Sequence, residues 1–229
     1  MKRSPARRMS DVAYEKLRQA IIRAEFEPGA PIEEKIVMER LEIGRTPLRE
    51  ALQRLSQEDL VKNVPQRGYF VSTTSAADLF QLIEFRLHAE ALSARLAAAR
   101  ANAGHLAEFG RILDEAEAGA AADNQDIAWN IEIDERMHRL VANAGGNNYL
   151  AQALNRLYAL SVRSLYLSHV PITLIRDELA TMRTLRDALA ARDADAAEAA
   201  MRRHLDFNVV TLVSGGRSVA RSDAQDAGR

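Results

Sequence analysis

Apolar positions recur at helical spacing over almost the whole chain, and only a short stretch around residue 65 reads as strands. Ala13, Leu17, Ala20, Ile21 and Ala24 follow the helical period behind Ser10 or Asp11, either of which can cap, and Phe26-Glu27-Pro28-Gly29 ends that helix. Residues 32–41 read as a short second helix. Gly44 or Thr46 caps a third, with Pro47 in the first turn, where its missing N–H costs little. Leu48, Ala51, Leu52 and Leu55 form the buried stripe of this helix and leave Arg45, Thr46 and Arg49 pointing away from it. Residues 60–64 and 69–72 read as two strands joined around Pro65 to Gly68, a hairpin too small to be stable without packing on the helices.

From residue 75 the sequence turns Ala- and Leu-rich and helical, without credible strands. Ser75-Ala76-Ala77-Asp78 resembles a capping box opening a long helix to about Arg100, which residues 102–104 stop. Further helices are predicted at about 105–120, 124–143, 148–168, 172–192 and 195–213. Asp123-Asn124, Gly145-Gly146-Asn147, Pro171, Asp193 to Asp195 and Gly215-Gly216 punctuate them. Short connections imply antiparallel neighbours. The expected fold is therefore mainly α: a winged helix-turn-helix of three helices and a β-hairpin, then an antiparallel bundle of about six helices. The expected division is a basic flexible arm at 1–9, a winged helix-turn-helix DNA-binding domain at 10–73, a helical domain at 75–214, to which the family resemblance named below adds effector binding and dimerisation, and a flexible tail at 215–229.

At 229 residues and 47% hydrophobic, the chain can bury one generous core or two modest ones. No apolar run approaches the roughly 18 residues of a membrane span, and Met1-Lys2-Arg3 leads into polar sequence rather than a signal-peptide core. A cytoplasmic protein with no membrane partner is expected. The absence of cysteine removes disulfides, thiol catalysis and cysteine zinc sites, so any metal must sit on His and carboxylate. Residues 1–75 hold 14 Lys and Arg against 11 Asp and Glu, and the remainder holds 17 against 21. That modest split fits a nucleic-acid-facing N-terminal part joined to an acidic part with another task.

These motifs resemble those of the GntR-type transcription regulators. The resemblance rests on Pro28-Gly29, then Arg45-Thr46-Pro47-Leu48-Arg49-Glu50-Ala51-Leu52, then Arg67-Gly68-Tyr69-Phe70-Val71. Residues 75–213 are similar to the all-helical effector domain of the FadR-like branch, through Arg86 with Glu90, Asp134 with His138, and the ending from Ala188-Leu189 through Asp193 to His204-Leu205. A helix N-terminus offers free N–H groups to phosphate, and arginine can fork onto the O6 and N7 of guanine. The resemblance implies that Arg45 and Arg49 read bases or clamp phosphates with help from Thr46. It further implies that Lys35 reaches the backbone and that Gln66, Arg67 and Gly68 form the wing tip. Leu41-Glu42-Ile43-Gly44 departs from the family's usual Leu-Gly-Val-Ser. A positive φ at Glu42 would cost ~1 kcal/mol and put a negative charge near the DNA.

Asp134 and His138 stand four apart, on one helix face, and offer a carboxylate oxygen and an imidazole nitrogen to a divalent ion. A third ligand must come from elsewhere, and His204 matches the family's C-terminal metal histidine. Met182 stands where metal-binding relatives carry another histidine, and a thioether is a poor partner for the metals that carboxylate and imidazole prefer. Glu178, one turn earlier, is a possible substitute. Three readings of Asp134, His138 and His204 remain open: a divalent metal site for zinc, nickel or manganese, a metal-free polar effector pocket, and structural pairing. Arg86 is expected to bind an effector anion or pair with Glu90. His88, His105 and His169 read as surface or local-packing residues, with His169 a possible pocket residue, and Trp129 reads as core near the pocket wall.

The resulting expectation is a ligand-responsive, homodimeric repressor. Its DNA partner is a near-palindromic double-stranded operator and its effector a small carboxylic acid. Two alternatives stand beside it. A metal-dependent helical enzyme lacks H-E-x-x-H, a repeated Glu-x-x-His, a phosphate loop and G-x-S-x-G in this sequence. An effector-independent architectural DNA-binding protein leaves the polar trio in the bundle without a role.

Overall fold

The structure is a computed structural model that describes residues 5–124, 126–168 and 176–205. Its elements are α1 (Pro5–Ile22), α2 (Glu34–Leu41), α3 (Arg45–Gln57), β1 (Val61–Val64), β2 (Gly68–Val71), α4 (Ala76–Arg100), α5 (Ala103–Ala121), α6 (Ile127–Ala144), α7 (Asn148–Ser168) and α8 (Arg176–Ala191). A further helix, α9, covers residues 194–205. The fold is mainly helical with one small antiparallel sheet. His169, Pro171, residues 206–213 of the last predicted helix and the tail at 215–229 lie outside the described residues. The chain forms two compact units, one of residues up to Asp78 together with Val162–Leu167, the other of the remainder.

In the first unit α1 lies along α3. Ala13, Leu17 and Ile21 are buried on one helix, and Leu48, Ala51, Leu52 and Leu55 on the other, the stripe the spacing predicts. The expected helix start at Ser10 or Asp11 needs correction, because α1 already begins at Pro5, while residues 1–4 of the expected arm lie outside the described residues. Proline fits a first helical turn, and Ala6, Arg7, Arg8 and Met9 continue it readily. Ser10 is buried and donates its hydroxyl to Glu50 of α3, so it serves as a tertiary contact rather than a cap.

The second helix starts later than expected, at Glu34, since the preceding residues join the sheet. Gly29 N–H donates to Val71 O at 2.9 Å, Val71 N–H to Ala30 O at 2.9 Å and Ile32 N–H to Tyr69 O at 2.8 Å. Residues 29–32 thus run beside β2, with Pro31 opposite Phe70. At an outer position proline forfeits no ladder bond. Glu42 closes α2 in the left-handed region, at φ 53° and ψ 50°, the conformation anticipated from the turn.

Helix α4 opens on the expected capping box, Ser75 N–H donating to Asp78 Oδ2 at 2.9 Å and Asp78 N–H to Ser75 Oγ at 3.1 Å, and from Leu79 onward it belongs to the second unit. Alanines 94, 97 and 98 of α4 are fully buried, and their small side chains let neighbouring helices approach closely. Around them pack Phe109, Ile112 and Leu113 of α5, Ile133, Met137 and Val141 of α6, and Leu179, Met182 and Leu185 of α8. His105 has a local role, since Asn102 and His105 cap α5 reciprocally. Trp129 packs against this core with its indole on Gly119 of α5, where a Cβ would come within 1.9 Å of the ring.

Candidate functional site

In the first unit the DNA-reading candidates are all on the surface. Lys35 on α2, Arg45, Thr46 and Arg49 on the first turns of α3, and Gln66, Arg67 and Gly68 at the hairpin tip are exposed. Gly44 caps α3 in extended conformation without a side-chain bond, so the first amides of α3 keep their capacity for an anion. Positive φ values at Gln66 (62°) and Gly68 (89°) make the tight tip. One neighbour was not foreseen from sequence: Glu34 on α2 accepts from Arg49 Nε at 2.9 Å, and its other oxygen lies 3.9 Å from Arg45 Nε.

In the second unit, five helices converge on a buried polar cluster. Asp134 and His138 project from α6, and His204 of α9 joins them. His204 Nε2 lies 3.1 Å from Asp134 Oδ1 and 3.2 Å from His138 Nε2, and His138 Nε2 lies 3.5 Å from Asp134 Oδ1. A tetrahedral ion bonded at ~2.0–2.1 Å holds neighbouring donors roughly 3.3 Å apart, so these three atoms have the spacing of three corners of such a shell. Two imidazoles and a carboxylate suit zinc, nickel or manganese by ligand type. Among the described residues this is the group of three or more His, Cys, Asp and Glu spaced for a metal, and Glu178 is not part of it. Met182 is buried in the apolar core.

Each member is oriented from behind. Thr181 of α8 donates its single hydroxyl proton to Glu178 O at 2.7 Å, so at 3.2 Å from His204 Nδ1 its oxygen must accept. That puts the His204 proton on Nδ1 and turns the Nε2 lone pair inward. Glu90 of α4 meets His138 Nδ1 in a close ion pair and accepts from Arg86 Nε at 2.6 Å. Tyr158 of α7 donates to Asp134 Oδ2 at 2.8 Å. Arg86 thus pairs with Glu90 as expected, yet its Nη2 is buried with no hydrogen-bond partner, and the guanidinium carbon lies 5.2 Å from the Tyr158 ring centre.

The electrostatics follow from burial and neighbours. Burial alone would lower the His138 pKa, but Glu90 and Asp134 outweigh it and raise the imidazole to about 9. Burial pushes the Glu90 carboxyl up, while Arg86 and then His138 bring it down to about 2. Asp134, likewise opposed by burial, is held well below the usual carboxylate range chiefly by His138. A proton on His138 therefore occupies the place between lone pairs where a cation fits.

Residues 9–71 match the family described as bacterial regulatory proteins, gntR family, and residues 81–207 match the FCD domain. The chain belongs to the GntR family. As a GntR regulator it resembles the HTH-type transcriptional repressor GlaR of Escherichia coli strain K12, 31% identical over 199 residues that cover 84% of this chain and 90% of GlaR. It also resembles the HTH-type transcriptional repressor RspR of the same strain, 29% identical over 206 residues and covering 88% of each chain. Among solved structures, E. coli McbR/YncC shares the fold with a TM-score of 0.79 at 19% identity, over 90% of this chain and 97% of that one. A GntR regulator from Rhodococcus sp. RHA1 does so with a TM-score of 0.71 at 24% identity, over 90% and 98%. This GntR protein is thus a DNA-binding transcription regulator with a C-terminal effector domain, and not an enzyme. No helix among its described residues is long and apolar enough to cross a membrane.

Glu34, Tyr158 and Thr181 went unread in the sequence, and Glu90 was read only as a partner for Arg86. The recess beside His138 is lined by Glu90, Glu135, Arg139, Leu154, Asn155 and Tyr158 and does not include Trp129, contrary to expectation. Trp129 stands five positions before Asp134, an offset that turns the indole to another side of α6.

Proposed function

We propose that this chain is a cytoplasmic, homodimeric repressor that reads a near-palindromic operator through α3 and the hairpin tip and releases it when a small carboxylic acid binds the helical unit. In the DNA contact, Arg45 and Arg49 take guanine edges or phosphates, Thr46 and Lys35 hold the backbone, and Gln66, Arg67 and Gly68 enter beside them. A twofold dimer doubles the few base pairs one winged unit touches. The names of GlaR and RspR, both repressors, support the sign of regulation.

The observation that carries the effector reading is the donor triangle of Asp134, His138 and His204 with the unpartnered Arg86 Nη2 in the same cluster. Asp134 Oδ1 and the Nε2 atoms of His138 and His204 are the ligands we assign to a divalent metal. Such an ion would supply a fixed positive charge with open positions for an anion's oxygen. Arg86 offers a second cationic contact to the same carboxylate, while Glu90 and Tyr158 fix His138 and Asp134. Met182, apolar and buried in place of a further imidazole, favours a second reading in which Arg86 and protonated His138 bind the acid without metal.

Selection of bound DNA from a random pool gives the operator, and gel shifts with sugar acids, hydroxy acids and small aromatic acids at millimolar concentration test the response. Elemental analysis of protein purified without chelator or nickel resin separates the two readings. Failure of every acid to alter operator affinity would undercut the sensor assignment. If Arg45→Ala and Arg49→Ala bound the operator like the parent, the recognition-helix assignment would fall.

A further inference from the structure

We infer that Glu34 is a specificity-determining positioning residue: one carboxylate that holds Arg49 by a hydrogen bond at Nε, stands within ion-pair reach of Arg45 Nε, and exchanges general DNA affinity for sequence discrimination. The inference rests on the reading of Arg45 and Arg49 as the DNA-contacting pair. Glu34 occupies the first turn of α2, where the helix N-terminus favours a carboxylate. Its side chain is 30% exposed, against 69% for Arg45 and 63% for Arg49. The anchor is therefore the better-held partner, and the two arginines are the movable ones.

The geometry of the pairs gives the anchor its effect. Oε1 takes Arg49 Nε in a 2.9 Å hydrogen bond, and Oε2 stands 3.9 Å from Arg45 Nε, an ion-pair distance without a hydrogen bond, so Arg49 is the more firmly placed of the two. Among the described residues nothing else bonds the terminal nitrogens of either guanidinium. Those nitrogens form the fork that meets the O6 and N7 of guanine. An arginine held at Nε keeps its fork free and has already given up rotamer freedom before DNA arrives. A free arginine side chain would instead reach any nearby phosphate.

The charge of Glu34 acts in the same direction. Affinity for arbitrary DNA scales with the cations set against phosphates, and a carboxylate between two arginines offsets part of theirs. Phosphate contact alone is thus weakened, while a guanine edge, which needs an aimed fork rather than net charge, is still met. Glu34 should consequently lower nonspecific binding and raise discrimination, two effects that a merely structural residue would not produce together.

The test uses full-length protein, the operator recovered by selection, a scrambled duplex of equal length and operators with single guanine replacements, read by fluorescence anisotropy over a KCl series. Glu34→Ala should tighten binding to scrambled DNA about 3-fold and reduce the operator-to-scrambled ratio about 10-fold, with the loss concentrated at the guanine positions. Glu34→Gln keeps an acceptor for Arg49 Nε but not the charge. It should show the same gain on scrambled DNA with discrimination between that of the parent and Glu34→Ala. Arg49→Ala runs in parallel. If Arg49→Ala loses discrimination while both Glu34 variants keep the parent ratio, the positioning role is overturned and the recognition helix stands. An Arg49→Ala protein with the parent ratio overturns both. Should Glu34→Ala fail to fold, the isosteric Glu34→Gln decides, and parent-like values for it on both duplexes would overturn the inference.

Discussion

Thr181 decides which nitrogen of His204 faces the cluster, although it touches none of the other ligands. Replacing its hydroxyl by a methyl in Thr181→Val leaves the imidazole free to put its proton on either nitrogen. Metal affinity should fall about 10-fold, within the range for partners that orient a ligand from behind, and titration calorimetry measures it. His138 adds a proton to the same equilibrium. With its pKa raised to about 9, metal-free His138 is protonated at neutral pH and must lose that proton to become a ligand. Metal affinity should therefore rise with pH, by about tenfold per unit, until the imidazole's own pKa is passed and then level off. Calorimetry in buffers of different ionisation enthalpy should register about one proton released near pH 7. A pH-independent affinity would show that His138 does not ligate.

At the scale of elements, local rules were legible and pairings between distant segments were not. The stripe of Leu48, Ala51, Leu52 and Leu55 is set by helical period alone, and the Ser75–Asp78 box closes within one turn. Ile32, by contrast, looks like the first apolar position of α2, and only the backbone of Tyr69, far along the chain, makes it part of a sheet. Ser10 likewise has the chemistry of a cap until Glu50 takes its hydroxyl. Glu42 was legible in both respects, a charged residue at a turn that calls for a left-handed conformation. Glu42→Gly should stabilise the first unit by about 1 kcal/mol, measurable by urea denaturation, because glycine adopts that conformation without steric cost. It should also tighten operator binding by removing a negative charge from the turn before α3.

At the scale of the molecule, the site is assembled from helices far apart in sequence, which explains how little of it could be read. The four-residue spacing of Asp134 and His138 is visible because both lie on α6. The contacts of Glu90 with His138, Tyr158 with Asp134 and Thr181 with His204 exist only once α4, α7, α8 and α9 are gathered around it. A metal bound there ties α6 to α9, so it should stabilise the helical unit as a whole. At a thousandfold excess over Kd the gain is about 4 kcal/mol. Trp129, the single tryptophan, belongs to this unit and reports its unfolding by fluorescence. Metal should move that transition to higher urea in the parent and leave it in place in His138→Ala.

The residues that run beside β2 have a kinetic consequence. A connection between helices ordinarily exchanges its amide hydrogens with solvent as fast as it frays. The Gly29 and Ile32 amides instead donate to Val71 and Tyr69. Their exchange with deuterated solvent should be slowed together with that of Val71, and the connection into α2 should open only when the hairpin itself does. A loop that by its proline and glycine looks free to move is, on that timescale, part of the wing.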